Sequence, residues 1–300
     1  SATEAELVLN KILAYHSPEA LGNWRNKVCF IADDEDDNLH MYDSERLAGI
    51  VNDNHGEFIT DKIYFDAYKQ ITGPGGESYP DVTRAINDRI KEGVLILNYV
   101  GHANDRFIAD ENILDISHIN AWSNSTKLPV FVTATCEFSR FDNDETSAGE
   151  YVLLNRNGGG IGLFSTSRLA FAVSNYFISR SFYSYVFQKD VNGNHYRMGD
   201  IMRLAKVNTI NSINKRNFVL LGDPALRLSY PEYRVVTTEI NGKPAAGEPD
   251  TLGALQRVTV SGHIEDWNGR KMDDFTGEVN PAVYDKAVMI KTLGNAGQKP

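Results

Sequence analysis

The chain has 300 residues, 42% of them hydrophobic and 23% charged, a globular balance with enough length for one large domain or two ordinary ones. Thirty Lys plus Arg against forty Asp plus Glu give a formal charge of −10. That excludes a nucleic-acid binder, which must neutralise phosphates, and speaks against an electrostatic hold on anionic lipid.

No apolar run approaches the roughly 18 residues that cross a bilayer. The opening Ser1-Ala2-Thr3-Glu4-Ala5-Glu6 has neither the basic nor the apolar region of a signal peptide. Two cysteines, Cys29 and Cys136, make at most one bridge and no disulfide framework.

Residues 3–15 place Leu7, Leu9, Ile12 and Leu13 at helical spacing, with Thr3 and Glu6 as the expected capping box. A repeating order of β-rich run, polar turn and amphipathic stretch follows. The runs are 27–32 (KVCFIA), 62–65 (KIYF), 94–100 (VLILNYV), 129–134 (PVFVTA) and 160–165 (GIGLFS). Helices are expected near 40–53, 81–92, 114–123, 147–155, 173–188 and 199–213. The runs at 94–100 and 129–134 are continuously apolar, the pattern of strands covered on both faces. The alternation of strand and helix predicts an α/β domain over 1–229, a mostly parallel sheet flanked by helices.

From Tyr230 the grammar changes to short alternating runs (RVVTTEI, RVTVSGHI, AVMIKTL) broken by Asn241-Gly242 and Asn268-Gly269. This is hairpin chemistry, and it predicts an Ig-like β-sandwich module over 230–300. Such sandwiches run to roughly 100 residues, so the chain is expected to stop inside the module.

Ligands of open parallel sheets bind beyond the carboxyl ends of the strands. The residues there are Asp33 to Asp37, Gly101-His102-Ala103-Asn104, Thr135-Cys136-Glu137 and Thr166-Ser167-Arg168. His102 and Cys136 follow two consecutive buried strands, and neighbouring strands lie about 4.8 Å apart. A thiol beside an imidazole is the pair that nucleophilic acyl transfer needs: His lowers the Cys pKa of about 8.5 and then protonates the leaving amine. Either residue alone is more often structural.

Cys29, inside the first run, reads as core packing. The glycine-rich 157–162 precedes its strand, whereas a dinucleotide fingerprint follows one. His16, His40, His55, His118, His195 and His263 show no metal-ligand spacing.

Asn98-Tyr99-Val100-Gly101-His102 and Leu128 to Phe138 (LPVFVTATCEF) resemble the catalytic core of the gingipain-type cysteine peptidases of the caspase-like clan. Ser147-Ala148-Gly149-Glu150, Ser165-Thr166-Ser167-Arg168 and Leu221 to Leu228 (LGDPALRL) extend the likeness, which is densest over 94–228. Within that family it points to the surface signal peptidases of type IX secretion. Val260-Ser261-Gly262-His263-Ile264 and Asp285-Lys286 resemble the β-domain that follows the peptidase there.

The resemblance implies Cys136 as nucleophile and His102 as its acid/base partner, with the backbone N–H groups of Cys136 and Ala103 as oxyanion hole. The family usually has Gly at the position of Ala103, and an Ala keeps the donor where φ is negative. Ser165, Thr166 and Arg168 align with the wall of the S1 pocket; Arg168 is also suited to a carboxylate. Asp33 and Asp34 are expected to orient His102, to line the cleft, to bind structural calcium with Asp36, or to form a solvated acidic loop. Glu137 is placed to tune the thiol, to meet a basic substrate residue, or to face solvent.

The function implied is removal of C-terminal sorting domains from secreted cargo through a thioester at Cys136, with transfer of the cargo to lipopolysaccharide. The implied setting is the outer-membrane surface, beside a β-barrel partner. Two alternatives stay open: a general secreted peptidase cutting after basic residues, and a degenerate caspase-like scaffold that binds cargo without cutting.

Overall fold

The computed structural model describes residues 1–246, 251–253, 255–279 and 288–295. The chain divides into two compact units, Ser1–Ser229 with Val288–Pro300, and Tyr230–Ala287.

In the first unit the elements run α1 (Ala2–Ala14), β1 (Lys27–Ala32), α2 (Leu39–Asn54), β2 (Ile59–Tyr64), a hairpin of β3 (Ile71–Gly73) and β4 (Gly76–Ser78), α3 (Pro80–Glu92) and β5 (Ile96–Val100). A second hairpin, β6 (Phe107–Ile108) and β7 (Leu114–Asp115), leads to α4 (Ile116–Ala121), β8 (Val130–Ala134), α5 (Ala148–Leu154) and β9 (Gly162–Thr166). Then come α6 (Ala172–Val186), α7 (Met198–Asn208), α8 (Asn214–Asn217) and β10 (Phe218–Leu221). The main sheet has the order β10-β9-β8-β5-β1-β2. It is parallel except for β10, which runs antiparallel to β9. This is the α/β architecture expected from the sequence.

β5, β8 and β9 are buried at every position, as continuous apolar runs require. On one face Leu97, Tyr99, Phe131 and Leu163 pack against Val82, Ile86 and Ile90 of α3 and Val152 of α5. The i, i+4 spacing of the α3 residues puts them on one stripe. Pro80 and Asp81 open α3, Arg89 and Lys91 lie in its last turn, and Gly93 stops it with φ +94°. On the other face Phe30 meets Tyr183 of α6 at a ring separation of 5.4 Å, and Phe164 meets Phe182 at 5.0 Å.

Four details depart from the sequence reading. The α1 capping box is Ser1 with Glu4, not Thr3 with Glu6; both pairs have the same spacing, and the helix starts two residues earlier. α7 stops at Asn208, because Thr209-Ile210-Asn211-Ser212 holds weak helix formers. β10, an edge strand of four residues closed by Gly222, had no signal long enough to stand out. The alternating run at 287–293 is no strand over its described residues, 288–293; Leu293 instead donates its amide to Asp66 O in the first unit at 2.8 Å.

The second unit contains β11 (Arg234–Ile240), β12 (Lys243–Pro244) and β13 (Val260–Glu265), an antiparallel sheet of order β12-β11-β13. Asn241-Gly242 joins β11 to β12 with φ +51° and +76°, the conformation a tight hairpin demands. Asp285 and Lys286 lie outside the described residues. Among the described residues, no helix is long and apolar enough to cross a membrane.

Candidate active site

Three strands end in register at one edge of the sheet. Ala32 pairs with Val100, and Val100 with Ala134. The pairing runs on past the strand ends: Asp33 donates its amide to Val100 O at 3.1 Å, and Gly101 donates to Ala134 O at 3.4 Å. Asp34, His102 and Cys136 therefore stand at the same step beyond three adjacent strands.

His102 is held from below and from the side. Its amide donates to Asp33 Oδ2 at 2.9 Å, and Tyr99 Oη donates to its carbonyl at 2.6 Å. Burial holds the Tyr99 phenol well above its ordinary pKa, so it stays a donor. Asp33, 1% exposed, also takes the Asp34 amide at 2.9 Å on Oδ1. The carboxylate that meets the ring is Asp36, whose Oδ2 lies 3.1 Å from His102 Nε2. Glu35 Oε2 lies 3.5 Å from the same nitrogen, and burial, then the neighbouring Asp33, push its pKa up. A ring proton on Nε2, directed at Asp36, leaves the lone pair on Nδ1, the tautomer suited to accepting a proton there.

Asp36, Asp37 and Asn38 all have positive φ, between 54° and 65°. Asp and Asn tolerate this conformation better than other side chains. The twist starts α2 so that His40 lies edge-on to His102, at 5.1 Å and 85°. Burial, the largest influence on it, pushes the His40 pKa down. Asp36, His40 and His102 form a group with metal-ligand spacing, which corrects the sequence reading for His40. The i, i+4 pair Asp36 and His40 was the signal present in the sequence.

Cys136 is half-buried, and its Sγ lies 3.4 Å from Ala170 N and 3.5 Å from Ala170 O. The amide donates to a thiolate; the carbonyl accepts from a thiol. Cys29 is fully buried in β1, and burial pushes its thiol far up; only Cys136 has the access a nucleophile requires. Glu137 takes φ +53° directly after it, and its amide donates to Arg168 O at 3.2 Å. Its carboxylate faces Arg140 at 3.4 Å.

Ala103 is not among the residues of positive φ, so Ala causes no strain there. It bridges Ile108 while Asn104 N donates to Phe107 O and Ala109 N to His102 O on either side. The Ala103 amide is left out of that ladder, as an oxyanion donor must be.

Five expected substrate contacts are engaged within the fold. Ser165 and Thr166 are fully buried in β9, where Ser165 Oγ meets Thr133 Oγ1 and Thr166 Oγ1 donates to Thr135 O. Asp33 and Asp34 are each 1% exposed, and Tyr79 donates to Asp34 Oδ2; neither carboxylate lines a cleft. Burial raises the Asp34 pKa. Arg168 is gripped in a fork by Asp142, at 2.9 Å and 2.5 Å. The side chains exposed beside Ala170 are apolar: Leu169, Phe171 and Val173.

The expected calcium site does not fit the donors present. Both Asp33 oxygens accept hydrogen bonds, Asp34 accepts from Tyr79, and Asp36 Oδ2 lies between two imidazoles. Calcium takes about six to eight oxygens.

The peptidase family C25 model matches residues 1–229. No curated protein matches the chain. The crystal structure of the Arg-specific cysteine proteinase gingipain R (RGPB) superposes at a TM-score of 0.62 and 15% identity, over 78% of this chain and 55% of that one. A structure described as a protease superposes at 0.60 and 15%, over 90% and 67%. Dimeric latent PorU from Porphyromonas gingivalis gives 0.25 and 16%, over 84% and 34%, too slight an overlap to argue from. The chain thus spans about half the length of gingipain R, and the structural likeness is one of fold. With the family model covering the whole α/β unit, the chain belongs to peptidase family C25, a family of cysteine peptidases.

Proposed function

We propose that the α/β unit is a cysteine endopeptidase that opens a peptide bond through a thioester at Cys136. The observation that carries this is the common register step of His102 and Cys136, with Asp36 holding the imidazole by Nε2. Cys136 gives its proton to Nδ1 of His102, and the thiolate attacks the peptide carbonyl. The oxyanion that forms is met by the amides of Cys136 and Ala103. The imidazolium then protonates the departing amine, and an amine or water releases the acyl group from sulfur.

For the substrate, we propose secreted cargo carrying a C-terminal sorting domain, handed to an amine of lipopolysaccharide at the cell surface. The reading places the protein outside the outer membrane, next to a β-barrel partner of the type IX secretion complex. Its support is the resemblance of the sequence over 94–228 to the surface signal peptidases of type IX secretion. A second support is that the three carboxylates expected to meet a basic P1 residue are engaged: Asp33 and Asp34 are buried and Glu137 faces Arg140. The exposed Leu169, Phe171 and Val173 suit an apolar segment.

Cleavage of a cargo–sorting-domain fusion, by the wild type and by Cys136→Ala, is the test. Activity confined to the wild type supports the thioester; cleavage by the variant overturns it. Fluorogenic peptides differing only at P1 decide between substrates, since a strong preference for Arg or Lys would favour the gingipain-like alternative. A thiol probe that labels Cys136 over Cys29, and loses that selectivity in His102→Ala, argues against a degenerate scaffold.

A further inference from the structure

We propose that Asp36, His40 and His102 form an inhibitory site for a borderline transition-metal dication, Zn²⁺ foremost, which stops the peptidase by occupying the His102 imidazole. The inhibitory part rests on His102 acting as the acid/base partner of Cys136; the binding part does not.

Each of the three residues offers one ligand atom, and these atoms all lie within 4.8 Å of one another. His102 Nε2 and His40 Nε2 are 3.1 Å and 3.2 Å from Asp36 Oδ2. Zinc–ligand bonds of about 2.0–2.1 Å in a tetrahedron set ligand atoms roughly 3.3 Å apart, so two of the three edges are already at that length.

His40 is the independent observation. It is 4% exposed, and among the described residues neither of its ring nitrogens has a partner in hydrogen-bond geometry. The approach to Asp36 is close but lacks hydrogen-bond geometry. A buried imidazole whose Nδ1 has no partner and whose Nε2 meets only the Asp36 carboxylate at 3.2 Å is costly, and a metal bond to Nε2 would satisfy that nitrogen. The open side is provided by His102, 41% exposed, and Asp36, 50% exposed. Glu35 Oε2, 3.5 Å from His102 Nε2, or a water completes the tetrahedron.

The donor set selects the metal. Two imidazoles and one carboxylate suit Zn²⁺ and its transition-series neighbours, whereas calcium and magnesium require oxygens. Inhibition follows from the tautomer. A metal on Nε2 displaces the Asp36 contact and leaves the ring proton on Nδ1, so no lone pair remains to accept the Cys136 proton. Removing the metal returns Nε2–H to Asp36 and restores the base.

The test is Zn²⁺ titration of the full metal-stripped chain, read by calorimetry and by competition with a chromophoric chelator. Stoichiometric binding that weakens by about tenfold or more in His40→Gln and in Asp36→Ala, and persists in Cys136→Ala, is the expected result. Asp36→Ala, at a half-exposed position, keeps the test valid if the buried substitution fails to fold. Binding that survives both variants but vanishes in Cys136→Ala overturns the site, since the metal would then bridge sulfur and imidazole. No binding overturns it too. Zinc that binds without slowing peptide cleavage, or slows it irreversibly to chelator, overturns the inhibitory role. Because binding is read without turnover, failure of the peptidase reading gives a different result from failure of the metal site.

Discussion

Asp33 reaches across from the end of β1 to accept the amide of His102, two residues past the end of the neighbouring strand, at 2.9 Å. The imidazole is therefore placed through its backbone by a carboxylate that never touches the ring. The same side chain accepts the Asp34 amide at 2.9 Å and faces Tyr99 Oη at 3.4 Å.

Asp33→Ala should consequently lower both stability and activity. Removing the acceptor orphans buried donors, at a cost of about 3 kcal/mol. Chemical denaturation should show the loss, and kcat/KM should fall further than the remaining folded fraction explains. A variant with wild-type stability would show that Asp33 does not hold the site together.

Asp36 acts on the ring directly and gives a different signature. Asp36→Asn should leave stability nearly unchanged, because the side chain is half exposed. It should lower kcat/KM by about tenfold, since Glu35 at 3.5 Å can take over part of the orienting role. Combined with Glu35→Gln the loss should reach roughly a hundredfold. Steady-state kinetics across pH would check this; two single losses that simply multiply would show that the carboxylates do not substitute for one another.

These two aspartates mark how far the sequence could be read. The parallel sheet was legible because VLILNYV and PVFVTA are too apolar to be anything but strands covered on both faces, and those strands fixed where His102 and Cys136 would emerge. The acidic run after KVCFIA was visible as a cluster, but its division of labour was not. Whether an Asp points into the protein or toward the imidazole depends on the positive φ of Asp36, Asp37 and Asn38, which composition does not encode. Ser165 and Thr166 misled for a related reason. Both are polar and close to a strand end, yet β9 extends through Thr166 and each hydroxyl is satisfied within the sheet. His40 showed no ligand spacing with the other histidines because His102, which it meets edge-on, comes from a different crossover.

Gly101 separates β5 from His102 and has no room for a side chain. A Cβ there would overlap Asp33 Cβ and Tyr99 Oη, both of which hold His102 in place. Gly101→Ala should therefore destabilise by about 1–3 kcal/mol, as overpacking does, and lower kcat more than KM. Thermal unfolding and kinetics would read the two effects; an Ala variant of normal kcat would mean that the His102 clamp yields without consequence.

Glu111 supplies a pH dependence. Its Oε2 is buried without a hydrogen-bond partner among the described residues. Burial chiefly, with added repulsion from Asp33, Asp34 and Glu35, pushes its pKa up to about 7. A carboxyl whose pKa is higher folded than unfolded binds more protons in the folded state. Its favourable contribution is complete below the unfolded value near 4.5 and is lost as pH rises through about 7. Glu111→Gln keeps the neutral form at every pH. The variant should match the wild type near pH 4.5 and exceed it at pH 8 by about 1–2 kcal/mol, the full shift being discounted for partial solvent access. Denaturant unfolding at the two pH values is the measurement. A gap of the same size at both would mean that Glu111 titrates normally and that the acidic cluster behind His102 does not strain the fold.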